Sequence, residues 1–155
     1  MKEVIVFRGY SHISIAIALF LVIKDYISLD RPIGIVVFTI IIGSILADLD
    51  HPSSLFGRLI VPVSAIIKHR SGITHSFFGA FLFTLPILFY DITYFIAAIT
   101  GYILHLLLDT LTTTGVKWLY PYNKKSYSLK VARTGGPEEA LMFALSLLYI
   151  FKKKF

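Results

Sequence analysis

The sequence predicts an all-α fold: a multi-pass transmembrane helical bundle of about five helices, some of them short. Three observations predict it. Of 155 residues, 56% are hydrophobic and 15% charged, where soluble domains hold about 45–50% and about 25%. Mean hydropathy is +0.77. The apolar residues gather into separate runs joined by polar connections, and a chain this short is a single domain, 1–155. A soluble bundle with a greasy core is the competing class; the number of runs and the scarcity of charge disfavour it. The same composition excludes a disordered chain. The absence of cysteine removes a disulfide framework, a thiolate zinc site and a cysteine nucleophile. Any metal must then be held by His, Asp and Glu. Lys plus Arg number 15 against 9 for Asp plus Glu. On so apolar a chain that excess fits membrane-flanking loops, and there is no strong nucleic-acid signal.

The runs are taken in chain order. The first covers 12–28, broken late by Lys24 and Asp25. Arg8 and His12 interrupt it too early for a cleaved signal peptide, so it is expected to stay as a span. The second covers 33–47, with Pro32 before it and Pro52 closing it after Asp50 and His51. The third covers about 73–90, with Ser71 or Thr74 as its expected cap. The fourth covers 92–111, ended by Gly115. The fifth covers about 138–151. Its start, Gly135-Gly136-Pro137-Glu138-Glu139, puts proline in the first turn and acids at the positive dipole end. Only the third and fourth reach spanning length unaided. The second and fifth need tilt or local thinning.

The unusual residues follow a rule of placement. His12 lies at the start of the first run; Asp48, Asp50 and His51 lie at the end of the second. His69 and His75 lie at the start of the third, His105 and Asp109 near the end of the fourth, Glu138 and Glu139 at the start of the fifth. In five antiparallel spans, all these ends fall on one side. Distances to the far boundary agree: 12 residues from His12 to Lys24, 15 from Ile33 to Asp48, 16 from His75 to Asp91, and 14 from Asp91 to His105 and from Glu138 to Lys152. At 1.5 Å per residue these are roughly 18–24 Å. One thin layer below the surface of the hydrocarbon therefore holds a polar residue from every helix. Charged groups there should face one another, so the side chains of His12, Asp48, His75, His105 and Asp109 are expected to converge. His105 and Asp109, four apart, share a helix face. Acids at a helix C-terminus, such as Asp48 and Asp50, oppose the dipole and need another cause. His51 and His69 are as well explained as loop residues near the mouth.

These residues lie in strings that resemble the YdjM-like family, described as LexA-binding, inner membrane-associated hydrolases or membrane-bound metal-dependent hydrolases. The strings are Gly43-Ser44-Ile45-Leu46-Ala47-Asp48-Leu49-Asp50-His51-Pro52, His69-Arg70-Ser71-Gly72-Ile73-Thr74-His75-Ser76, Gly101-Tyr102-Ile103-Leu104-His105-Leu106-Leu107-Leu108-Asp109, and Thr112-Thr113-Thr114-Gly115-Val116. Thr134-Gly135-Gly136-Pro137-Glu138 matches the family's closing Thr-Gly-small-x-Glu, and His12 its N-terminal histidine. Ala47 stands where the family often has proline, a change with no chemical consequence. The family is distantly similar to zinc-dependent phospholipase C and the fungal zinc nucleases. The resemblance implies His12, Asp48, His75, His105, Asp109 and Glu138 as metal ligands. Glu139 would serve a helix N-terminus equally well without a metal. Asp50 and Arg70 are expected in catalytic roles.

The expected function is therefore a membrane-embedded metal-dependent hydrolase acting on a phosphoester of a lipid or lipid-linked substrate. Zinc suits imidazole and carboxylate donors, with manganese or iron as alternatives, and roughly one to three ions are expected. Asp48 or Asp109 could bridge two ions. Arg70, Lys68, Lys124, Lys125 and Arg133 lie on the site side and could hold a phosphate, although the lysines serve as well as headgroup anchors. Trp118, Tyr120 and Tyr122 suit an interfacial belt. Two other classes compete. An ion or proton transporter also uses intramembrane His and Asp, but near the midplane. A non-catalytic scaffold with a structural metal uses the same donors with a closed shell. The site side carries Lys2, Arg8, Arg58, Lys68, Arg70, Lys117, Lys124, Lys125, Lys130 and Arg133; the far side carries Lys24, Arg31, Lys152, Lys153 and Lys154. The positive-inside rule then puts the site at the cytoplasmic face of the cell membrane.

Overall fold

The structure, a computed structural model, describes residues 5–50, 72–133 and 135–153. His51, Pro52, Arg58, Lys68, His69, Arg70 and Ser71 lie outside the described residues. Five α-helices and no strand are present among those described: α1 (Ile5–Ile23), α2 (Ile33–Leu46), α3 (Phe77–Leu88), α4 (Ile92–Leu111) and α5 (Pro137–Lys153). A short 3-10 turn, Lys24–Tyr26, follows α1. One described helix, α4, is long and apolar enough to cross a membrane. Its 20 residues span about 30 Å. Two others, α2 and α3, are apolar but shorter.

Local chemistry sets the boundaries. Pro32 is the N-cap of α2, and its carbonyl accepts from the Ile35 and Val36 amides. The third run begins its helix later than its hydropathy suggested. Ser76, with φ −153° and ψ 165°, is the N-cap of α3, and its hydroxyl accepts from the Gly79 N–H. Neither Ser71 nor Thr74 holds that position, so α3 has 12 residues and His75 stands just before the helix. Asp91 caps α4 through the Thr93 and Tyr94 amides. That helix ends at Thr112, three residues before Gly115, which instead turns the following loop at φ +69°. Pro137 opens α5 as expected, with Glu138 and Glu139 in its first turn. The first helix starts at Ile5, so His12 lies two turns inside it.

Helix α4 is the central element, packed along α2 and α3 and touching α1, while α1 also packs on α5 and α2. Backbones of α2 and α4 nearly touch. A Cβ at Gly43 would lie 1.9 Å from the Ala98 carbonyl oxygen, and one at Gly101 would lie 2.1 Å from that of Ile40. Such contacts between small residues let apolar helices gain dispersion and Cα–H···O interactions where lipid gives no hydrophobic drive. The apolar core is in two parts. Ala16, Phe20, Leu21, Val36, Ile40, Tyr94 and Ala97 pack in one, and Ala47, Ala80, Tyr102, Leu106 and Val116 in the other. The far ends are tied by ion pairs, Arg31 with Asp91 at 2.6 Å and Lys153 with Asp25. Hydrogen bonding and charge from these partners hold Asp91 and Asp25 below the usual carboxylate range.

Candidate metal centre

The opposite end of the bundle is polar and buried. His105 and Asp109 project from the last turns of α4, with Tyr102 one turn earlier on the same face. Asp48 follows the C-cap of α2, in a run of turns that continues through Asp50. His75 is delivered by the bent segment, 72–76, that leads into α3. That segment is held from three sides: the Tyr102 hydroxyl donates to the Thr74 carbonyl at 2.6 Å, the Ser76 hydroxyl donates to the Ile73 carbonyl, and Gly79 leaves room for the Ile73 carbonyl. His12 comes from α1. All three histidines and Asp109 are buried.

Their ligand atoms converge. Asp109 lies 3.2 Å from His75 Nε2, 3.8 Å from His105 Nε2 and 3.8 Å from His12 Nε2. Asp48 Oδ1 lies 3.6 Å from His105 Nε2 and 3.9 Å from His75 Nε2. His12, His105 and Asp109 form one group whose ligand atoms are all within 4.8 Å of one another, and Asp48, His75 and His105 form another. The rings of His12 and His105 sit 4.3 Å apart. Among the described residues, neither His12 Nδ1 nor His105 Nδ1 has a hydrogen-bond partner. His75 Nδ1 lies 3.0 Å from the Thr74 hydroxyl.

Two acids differ from expectation in placement. Glu138 is exposed and belongs to neither group. Glu139 is buried; it accepts hydrogen bonds from the Ser11 hydroxyl and, at 2.7 Å, from the Gly135 N–H. Successive helix residues point about 100° apart, so only one of the pair can face α1, and the two donors select Glu139. Asp50 is fully buried, within electrostatic reach of His75 and Tyr102. Arg70 lies outside the described residues. Tyr102 and Ser11 were not singled out by sequence as contributors, and Thr74 was expected only as a helix cap. A tyrosine three residues before His105 and seven before Asp109 was the available signal for the first.

A family described as YdjM inner membrane protein matches residues 8–154. The chain belongs to the YdjM inner membrane protein family. Membership of that family and the candidate span in α4 make this a membrane protein. A YdjM-family chain is also similar to an uncharacterized protein, ORF4′, of Methanothermobacter thermautotrophicus, 35% identical over 85 residues. The match covers 50% of this chain and 36% of that protein, so the chain spans well under two thirds of the relative's length. No solved structure matches.

Proposed function

We propose that this YdjM-family protein is a multi-pass, membrane-embedded, metal-dependent hydrolase whose ion or ions are held by His12, Asp48, His75, His105 and Asp109. The observation that carries this reading is the gathering of the ligand atoms. Ion-paired His–carboxylate hydrogen bonds run about 2.7–2.9 Å. Here the five nitrogen–oxygen separations run from 3.2 to 3.9 Å. Donors at about 2.0–2.2 Å from a common tetrahedral ion stand roughly 3.3–3.6 Å apart. Four of the five separations exceed hydrogen-bond length and one, 3.6 Å, falls in that range, while His75 and Asp109, at 3.2 Å, are hydrogen-bonded to each other. What supports a shared cation is the gathering of three imidazoles and two carboxylates at these distances. The donor chemistry fits as well, because three imidazoles with two carboxylates suit zinc, manganese or iron. Zinc is the first expectation.

The surroundings support the same use. If the Thr74 hydroxyl accepts from His75 Nδ1–H, the Nε2 lone pair is left for the centre, and the ring is fixed in orientation. A bound divalent ion supplies Lewis acidity and brings the pKa of water toward about 7. The residues do the rest. Asp48, 26% exposed against 3–10% for the other four side chains, leaves the centre reachable from one side. That asymmetry favours a reactive centre over a closed structural one. Asp50, buried beside His75, is the nearest candidate to take or return a proton, and Arg70 remains the proposed phosphate holder. A phosphoester of a lipid or lipid-linked molecule is the proposed substrate class, because the centre lies at one end of the bundle rather than at mid-depth.

Elemental analysis of detergent-purified protein tests the reading. The expected result is near-stoichiometric zinc, manganese or iron, lost in His105→Ala and reduced in Asp48→Asn. A metal content below a tenth of the protein, or one indifferent to both substitutions, removes the basis for a hydrolytic mechanism.

A further inference from the structure

Residues 112–136, which join α4 to α5, carry five cations, Lys117, Lys124, Lys125, Lys130 and Arg133, and no acid. None of the five is in an ion pair among the described residues. The connection folds back on the end of α4. The Leu129 N–H donates to the Thr110 carbonyl at 2.8 Å, the Val131 and Ala132 N–H groups donate to the Leu111 carbonyl, and the Trp118 indole N–H donates to the Thr110 hydroxyl. The backbone bonds satisfy carbonyls that a helix end leaves open. They also fix depth. The 20 residues of α4, the candidate span, match a hydrocarbon core about 30 Å thick. The last turn of α4, and the chain bonded to it, then lie where acyl chains meet headgroups. At that level Leu129 and Val131 are 65% and 66% exposed, with exposed Lys130 between them. Lys130 takes φ +55°, a region that glycine or asparagine ordinarily fills. Leu119 and Tyr122 are exposed as well, and the Lys125 ammonium lies 5.5 Å from the centre of the Tyr127 ring. Apolar and cationic side chains interleaved at this depth fit acyl carbon under anionic heads. Neutral heads would leave the cations unanswered; a soluble acidic partner would leave Leu129 and Val131 in water.

We propose that the connection 112–133 is a membrane-surface element that selects anionic phospholipid, with Lys124, Lys125 and Lys130 meeting the charged heads and Leu129 and Val131 entering the acyl boundary. The proposal goes beyond the metal-centre reading. It needs only that this end of α4 lies at a bilayer surface. Each Lys or Arg near an anionic surface strengthens the attraction about fivefold, and salt screens it over the Debye length.

The chain's single tryptophan, Trp118, lies in this connection and serves as the reporter. The purified chain is placed in vesicles that mix phosphatidylcholine with phosphatidylglycerol, and the acyl chains of one lipid at a time carry bromine, which quenches a nearby indole. At equal mole fraction, phosphatidylglycerol should associate at Trp118 about fivefold more strongly than phosphatidylcholine. High salt should bring the two toward parity. So should the combined Lys124→Gln, Lys125→Gln and Lys130→Gln variant. These side chains are exposed, so its metal content and thermal midpoint should match the parent's. Leu129→Ser with Val131→Ser should weaken quenching by both lipids. Equal quenching by the two lipids in the parent, or a preference surviving the triple substitution, overturns the proposal. No quenching by either lipid would put the connection in water, against a soluble partner, and overturns it too. Lipid preference with no bound metal would sustain this surface and defeat the hydrolase reading; bound metal without lipid preference would do the reverse.

Discussion

At the scale of single residues, the buried polar end is held by groups that do not themselves face the centre. Thr74 is the clearest case. It contacts His75 Nδ1 at 3.0 Å, while its carbonyl is taken by Tyr102. Replacing a group that orients a metal-bound imidazole typically lowers metal affinity about 10–100-fold. Thr74→Val should therefore weaken metal binding by that factor, because the valine keeps the volume and loses the acceptor. Competition with a chelator of known affinity measures it. Unchanged affinity would mean that backbone contacts alone set the ring. Glu139 acts differently. It joins the first turn of α5 to Ser11, one residue before His12, so it fixes how α1 meets α5.

Among elements, the contact between α2 and α4 decides whether Asp48 reaches His105. Both glycines at that contact face a backbone carbonyl at about 2 Å from where a Cβ would sit. A backbone carbonyl cannot swing aside as a side chain can, so the helices must separate. Gly43→Ala and Gly101→Ala should each destabilise the fold by about 1–3 kcal/mol, with a lower thermal midpoint in detergent. Metal content should fall as well, since moving α2 moves Asp48. A variant as stable as the parent would show that the two backbones are not in such close contact. The α1–α5 seam uses polar contacts instead: the Ser146 and Ser14 hydroxyls lie 2.8 Å apart, and Ser14 donates to the Ser11 carbonyl. Bonds of this kind between apolar helices are worth about 0.6 kcal/mol on average, so the seam rests on several together.

On the scale of the whole molecule, the two ends obey different electrostatics. The far end is tied by Arg31–Asp91 and Lys153–Asp25, both exposed to water. Arg31 holds Asp91 below its ordinary value. That contribution is therefore fully present above about pH 4, the unfolded carboxylate value, and is lost as pH falls through the lower folded value. The thermal midpoint of the parent should fall more steeply below pH 4 than that of Arg31→Gln. Parallel curves would mean that the pair adds nothing to stability, as exposed pairs often do not. Orientation belongs to this scale too. A chain without cysteine permits clean single-site labelling. A cysteine at Ser126, on the site side, should resist an impermeant reagent in intact cells and react after permeabilisation. Labelling from outside would reverse the proposed topology.

Helical class, the order of the elements and the end of the bundle at which His12, His75 and His105 lie were legible without coordinates, because hydropathy and helical rise are properties of contiguous residues. Pro32 and Pro137 marked helix starts for the same local reason. That His12, Asp48, His75, His105 and Asp109 lie at one depth followed from counting residues along each run. Their approach to within a few ångströms depends on α2, α4 and α1 packing through Gly43, Gly101 and the serine seam, contacts between residues far apart in the chain. The start of α3 was also a tertiary decision. Several hydroxyls could cap it, and the Tyr102 bond to Thr74 helps hold the chain out of the helix up to Ser76. Between Glu138 and Glu139, local rules were indifferent, since either acid suits a helix N-terminus. Only the position of Ser11 on another helix broke that tie. Sequence thus determined which residue types could meet and at what depth; tertiary structure decided which of them do, because close approach depends on the shapes and hydrogen bonds of distant partners.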